Sequence, residues 1–220
     1  MDHDEVWKAI DTERAGLADL FESLTPQQWE TPSLCEGWRV RDVAAHLTLS
    51  QTGLVTALLD TVRARGSLSR MIRDSARRQA VRVPPDRYAA LLRAMAGSRR
   101  TAPGVTPLEP LIDVLVHGQD IALPLGLRRP MPVQASAAAA DRVWPDLWPF
   151  RAERRLRGFS FRATDDSWSA GAGPVVEGSI GAILLLLTGR RAALDQLSGP
   201  GAEHMRVTGG PGTVQARRAG

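Results

Sequence analysis

Near the start of the chain, apolar residues recur at intervals of three and four: Val6, Trp7, Ile10, Leu17, Leu20, Phe21 and Leu24. This spacing puts them on one face of a helix, predicted from about Asp4 to Ser23. Thr25-Pro26-Gln27-Gln28 follows. Thr25 is a suitable N-cap, Pro26 suits the first helical position and Gln28 completes a capping box, so a short second helix starts here. Thr31 to Trp38, TPSLCEGW, reads as a loop. A long helix is predicted from Val40 to Arg65, its stripe formed by Val40, Val43, Ala44, Leu47, Leu54, Val55, Leu58, Leu59 and Val62, with Gly66 as its stop. The arginine-rich Leu68–Ala80 segment is a weaker helix, broken by Val83-Pro84-Pro85. Asp86 caps another helix reaching Met95. Gly97 to Val105 is a loop, Thr106-Pro107 opens a helix to about Ile121, and Pro124-Leu125-Gly126 closes the region.

An alanine-rich helix is expected from Val133 to Trp144. Beyond Arg157 the period changes. Phe159, Phe161 and Ala163 alternate with Ser160, Arg162 and Thr164, the signature of a strand. Asp165-Asp166 makes a turn, Trp168 and Ala170 suggest a second strand, and Val175-Val176-Glu177 a third. Ser179 caps a buried helix from Ile180 to Thr188 that Gly189 stops. Arg191 to Leu197 forms a short last helix, and the glycine-rich tail from Ala202 is expected to be loosely ordered. The prediction is a mainly α chain. An antiparallel bundle of about four principal helices occupies residues 1–155, and a small α+β domain occupies residues 156–220.

Composition narrows the functional classes. Aromatics make up 5% of the 220 residues and apolar residues 43%, which favours helices with a real core. The net charge is +4 and the pI about 10.4. Lys8 is the single lysine, and the most basic stretch, Arg63 to Arg82, is interrupted by acidic and apolar residues. It reads as a solvated helix face rather than a nucleic-acid patch. A lone cysteine, Cys35, rules out a disulfide framework within the chain and suits a reducing compartment. MDHDEVWKAI is acidic and amphipathic, unlike a signal peptide, and the longest apolar run, Ile180 to Leu187, is too short to span a bilayer. The expectation is a soluble cytoplasmic protein, monomeric or homodimeric, with no nucleic-acid or membrane partner.

Among the four histidines, His3 and His204 read as solvent-exposed. Asp113 and His117 are one turn apart on one helix face and can converge on one ion. With Asp120 they form a polar lane opposite Leu108, Leu111, Ile112, Leu115 and Val116. That lane is either a solvated face or the lining of a cavity. His46 shares its lane with Ser50, Gly53 and Ala57, small residues that permit either tight helix packing or room for a ligand. Two histidines and a carboxylate suit a catalytic zinc with an open position. Cys35 is a candidate fourth ligand, a candidate nucleophile or a small buried residue. No phosphate-binding glycine loop and no nucleophile elbow occurs; Gly209-Gly210-Pro211-Gly212 has no helix after it.

Leu34-Cys35-Glu36-Gly37-Trp38-Arg39-Val40-Arg41-Asp42-Val43-Ala44-Ala45-His46-Leu47 resembles the first signature of the mycothiol-dependent maleylpyruvate isomerase family. Val116-His117-Gly118-Gln119-Asp120-Ile121-Ala122-Leu123-Pro124-Leu125-Gly126 resembles the second. Ser160 to Gly199 resembles the carboxy-terminal segment of actinobacterial members. The resemblance, from about Val6 to Gly201, implies a DinB-like four-helix bundle holding zinc or another divalent metal through His46, Asp113 and His117. The family pattern has glutamate at the Asp113 position. Aspartate is shorter by about 1.5 Å, so the ion sits nearer this helix or a water intervenes. The implied chemistry is activation of the small thiol mycothiol for attack on an electrophilic small molecule, in isomerisation or S-transfer. A non-catalytic metal- or ligand-binding bundle is the alternative. Asp120 reads either as an acceptor orienting a ligand imidazole or as a surface acid. Trp38 closes the site's mouth or anchors the helix start. Arg73 and Arg190 are candidates for holding substrate carboxylates.

Overall fold

The computed structural model describes residues 1–49, 68–101, 105–145, 147 and 149–208. The chain divides into two compact units, Met1–Arg129 and Pro130–Gly220.

In the first unit, helix α1 is His3–Ser23, with an Asp2–Glu5 capping box. Helix α2 is Pro26–Trp29, and the Thr25–Gln28 capping box forms as its residues predict. Helix α3 is Val40–Thr48; the remainder of the long predicted helix, with its Gly66 stop, lies outside the described residues. Helix α4 is Leu68–Arg82. A 3-10 turn, Pro85–Arg87, leads into α5, Tyr88–Ala94, and α6 is Leu108–Ala122. Helix α1 packs on α5 and α6, and α3 packs on α4, α5 and α6. Leu17, Phe21, Val40, Val43, Ala44, Leu47, Leu92 and Ile121 are among the residues that fill the interior.

Phe21, Trp29 and Tyr88 form an aromatic run, with ring centroids 5.4 and 5.8 Å apart. The Tyr88 hydroxyl donates to the Val83 carbonyl at 3.1 Å, and burial pushes its pKa up to about 12. Tyr88→Phe keeps the ring and leaves one carbonyl short of a donor. It is expected to cost about 1 kcal/mol, read as a lower urea midpoint at unchanged slope.

In the second unit, α7 is Val133–Val143 and α8 is Ala152–Arg155. Strands β1 (Ser160–Ala163), β2 (Ser169–Gly171) and β3 (Val175–Gly178) form a sheet of order β2-β1-β3. β1 is antiparallel to β2 and parallel to β3. Phe161 and Ala163 point inward and Arg162 outward, as the alternation predicts. Helix α9, Ile180–Leu187, is buried along its whole length, and the Ser179 side chain caps it.

Two expectations change here. The units part at Arg129 rather than near residue 155, because α7 packs on α9. A helix apolar on every side needs cover on every side, and Ala135, Ala139, Ala140 and Val143 of α7 are buried residues. Trp168 adds a 2.8 Å hydrogen bond from Nε1 to Asp141 on α7. The first part of the tail, Ala202 to Thr208, is helical rather than loosely ordered as expected; the rest lies outside the described residues. The segment Arg191–Gln196 is a 3-10 helix, and α10, Pro200–Thr208, follows it. Ala202 and Met205, three apart, are buried. Gly201 is needed because a Cβ there would stand 2.6 Å from the Pro174 carbonyl. Glycine serves close approach to β3 rather than looseness.

Candidate metal centre

The loop before α3 is folded by its own backbone. Ser33 N–H donates to the Trp38 carbonyl at 2.8 Å, Trp38 N–H to Cys35 at 2.9 Å and Val40 N–H to Thr31 at 2.9 Å. Gly37, at φ +72°, supplies the left-handed residue this tight path requires. Leu34 N–H donates to the Asp120 carbonyl at 3.1 Å, tying the loop to the end of α6. Arg39 holds the start of α3 by bonding Asp42, Nε to Oδ2, at 3.0 Å and Glu30 at 2.7 Å. Cys35 and Trp38 are thereby set against α6, while α3 carries His46 in its last turn.

His46, Asp113 and His117 come together. His46 Nε2 is 3.1 Å from Asp113 Oδ1, and His117 Nε2 is 3.3 Å from the same oxygen. The two imidazoles stand edge to face, with centroids 4.9 Å apart. Trp38 is buried, and its ring lies 5.5 Å from His46 and 6.4 Å from His117, nearly parallel to the latter. The polar lane on α6 therefore meets His46 at a half-buried site, and Trp38 flanks both imidazoles.

The opposite edge of His117 meets a second group. Its Nδ1 is 2.7 Å from Asp120 Oδ2. Cys35 Sγ donates to that oxygen at 3.1 Å and lies 3.6 Å from His117 Nδ1. The Asp120 side chain is fully buried, so it is not a surface acid. His117 thus presents one ring nitrogen to each cluster, and both clusters have a composition able to hold a cation.

The contact distances in the two clusters differ. In tetrahedral zinc coordination with bonds near 2.0–2.1 Å, neighbouring N and O donors stand about 3.3 Å apart. The Asp113 oxygen is 3.1 and 3.3 Å from its two imidazole nitrogens. The 2.7 Å between His117 and Asp120 is instead the length of a charge-assisted hydrogen bond. The donor set of His46, Asp113 and His117 fits a divalent cation, with Asp120 holding the rear of His117 and Cys35 donating to Asp120.

Charge in this cluster is strongly coupled. Burial works to raise the pKa of Asp113, but the two imidazoles outweigh it and hold the carboxyl far below the usual range. Burial opposes a charge on His117, yet Asp113 and Asp120 together raise its pKa well above the ordinary value. The raised His117 stabilises the metal-free fold fully below an unfolded value of about 6.5, and that contribution is lost as pH rises through the folded value. The depressed Asp113 stabilises above about 3.9 and loses its contribution only as pH falls toward its folded value. The chelator-treated protein is therefore expected to melt at progressively lower temperature as pH rises through the alkaline range, a trend His117→Gln should flatten. Thermal unfolding monitored at several pH values checks this.

Arg73 is exposed, and Arg190 donates to the Thr188 carbonyl at 2.8 Å within the second unit. His3 is exposed; His204 is exposed on α10, its ring 5.6 Å from Phe159. Buried charges on α1 and α3, Glu13, Arg14 and Asp42, escaped the sequence reading; Arg14 is the clearest case. Its signal is positional, since the apolar stripe passes from Ile10 to Leu17 through the place where Arg14 stands.

A family model described as the mycothiol maleylpyruvate isomerase N-terminal domain matches residues 10–122. No curated protein sequence matches this chain. Among solved structures, the crystal structure of the mycothiol-dependent maleylpyruvate isomerase is similar, with a TM-score of 0.63 at 15% identity, covering 91% of this chain and 93% of that one. A histidine-to-alanine mutant of that enzyme is similar at a TM-score of 0.58, with the same identity and coverage. At this identity the likeness speaks to the fold.

Proposed function

Because the chain belongs to the mycothiol maleylpyruvate isomerase N-terminal domain family, we propose that it is a metal-dependent enzyme using mycothiol, activated as its thiolate, in cis–trans isomerisation of a small electrophile. The observation that carries this reading is the convergence of His46 Nε2, His117 Nε2 and Asp113 Oδ1 from two helices. These three residues would hold zinc or another divalent cation, and three protein donors leave a position for an exogenous ligand. When bound, the cation lowers the pKa of a ligated thiol and so supplies a thiolate at neutral pH.

The chain's own residues have separate tasks. Asp113 contributes the single negative charge of the donor set and sits between the two imidazoles. Asp120 accepts the Nδ1 proton of His117, which leaves the Nε2 lone pair directed at the site. Trp38 stands against both imidazoles. Isomerisation and S-transfer use the same activated thiol; the family's description favours isomerisation. Among the described residues no helix is long and apolar enough to cross a membrane, which is compatible with the cytoplasmic setting that a small-molecule thiol requires.

The test is turnover of maleylpyruvate by protein stripped with a chelator and reloaded with zinc, with and without mycothiol. Conversion to the trans isomer that requires both additions is expected. A stable thiol conjugate in its place would assign S-transfer. Zinc-loaded, folded protein that leaves both compounds unchanged would contradict the enzymatic reading.

A further inference from the structure

Cys35 is the chain's one cysteine, and the loop that carries it is held on both sides. Its N–H donates to Ser33 Oγ at 3.2 Å, and its carbonyl accepts from the Trp38 N–H at 2.9 Å. Ser33 Oγ in turn donates to the Trp38 carbonyl at 2.9 Å. One residue before Cys35, Leu34 N–H donates to the Asp120 carbonyl at 3.1 Å; two residues after it, the Gly37 carbonyl accepts from Arg77 Nη2 at 2.8 Å. The half-buried thiol is thereby set against the fully buried carboxylate of Asp120.

Three distances fix where the thiol proton goes. Asp120 Oδ2 is 2.7 Å from His117 Nδ1 and 3.1 Å from Cys35 Sγ, while Sγ and Nδ1 are 3.6 Å apart. A carboxylate oxygen and an imidazole nitrogen approach to 2.7 Å with a proton between them. The imidazole is the more basic of the two, so the proton sits on Nδ1. A protonated Nδ1 has no lone pair to offer the thiol. The thiol proton therefore goes to Oδ2, the nearer atom, and one oxygen accepts from two donors. In the other arrangement the thiol donates to Nδ1 and the ring proton moves to Nε2. That would press a bare nitrogen against a carboxylate and turn an N–H toward Asp113. Two donors on Oδ2 also hold the carboxylate against rotation.

We infer that Cys35 is a positioning residue: its S–H fixes the Asp120 carboxylate and, through it, the tautomer and aim of His117. In this role the thiol touches neither cation nor substrate. The inference rests on the proposed function for what the aimed nitrogen binds, but not for the hydrogen bonds themselves. A thiol is a weak donor, strengthened here by an ionised acceptor, so its removal has a smaller effect than removal of the Asp120 carboxylate.

Two measurements on the full chain test this. The infrared S–H stretching band belongs to Cys35 alone, since the chain holds no other thiol. It is expected at lower frequency than that of a free alkyl thiol, in metal-free and zinc-loaded wild type alike. An unshifted band, or one that vanishes on loading with zinc, overturns the inference without any substitution. The second measurement follows the ring nitrogen resonances of His117 and zinc affinity by chelator competition. Cys35→Ala is expected to move those resonances and to weaken zinc about two- to tenfold. Cys35→Ser keeps a donor and is expected to restore most of both. A lower urea midpoint in Cys35→Ala with resonances and affinity unchanged makes Cys35 a packing residue and overturns the inference, as does a serine variant that behaves like alanine. If the wild type binds no zinc while Cys35→Ala still moves the metal-free His117 resonances and Cys35→Ser restores them, the inference stands and the metal reading falls.

Discussion

His117→Ala is expected to abolish tight divalent binding and also to destabilise the metal-free chain, whereas His46→Ala is expected to remove the binding with a smaller structural cost. The asymmetry follows from the two edges of one ring. Both variants remove one donor from a three-donor set. On the scale of zinc-site free energies that is about 3 kcal/mol or more, on the order of a hundredfold or greater in affinity. His117 also fills the other side, where its Nδ1 meets the fully buried Asp120 at 2.7 Å. Without it, Asp120 loses its 2.7 Å contact with the ring, which costs about 1–3 kcal/mol for a buried polar group that loses a partner. Competition with a chromogenic chelator reads the first effect in both variants, and urea unfolding of the metal-free proteins reads the second. Equal destabilisation by the two substitutions would remove the distinction between the rings.

Asp120→Ala is expected to weaken divalent binding about 10–100-fold while removing no donor atom. The carboxylate fixes which nitrogen of His117 carries the proton and holds the ring in place, so its loss leaves a ring free to present the wrong tautomer. Asp120→Asn, which retains an oxygen for Nδ1–H without its charge, should fall between alanine and wild type. Nitrogen chemical shifts of His117 in the zinc-loaded protein report the tautomer directly, and a merely structural role for Asp120 would not move them. An Asp120→Ala protein with wild-type affinity and an unchanged tautomer would show that other contacts orient His117.

Local rules explain what could be read from the residues alone. The Thr25–Gln28 capping box, the alternation through Phe159, Phe161 and Ala163, and the Ser179 cap each depend on neighbours in sequence, and each forms as expected. Asp113 and His117 share a face by helix period, so their pairing was legible; their convergence with His46 required knowing which helices pack together. Asp120 was ambiguous for a physical reason. It stands near the end of α6, where a side chain is ordinarily wet, and it is dry because the loop bearing Leu34 and Cys35 folds over it. Helix α7 was placed with the bundle because an alanine-rich face fits many surfaces; the need to cover α9 decides its partner, and that need is not local. Arg14 was overlooked because a charge within an apolar stripe reads as an interruption of the stripe, although it occupies a buried position on it.

X-ray absorption at the zinc edge tests the central claim most directly, since it separates the two clusters that share His117. With zinc at His46, Asp113 and His117, the thiol-free protein should show nitrogen and oxygen neighbours only, with two imidazole signatures. Added mycothiol should then introduce a single sulfur at about 2.3 Å. A sulfur neighbour already present before any thiol is added, and lost in Cys35→Ser, would place the ion on Cys35, His117 and Asp120 and contradict this account of the site.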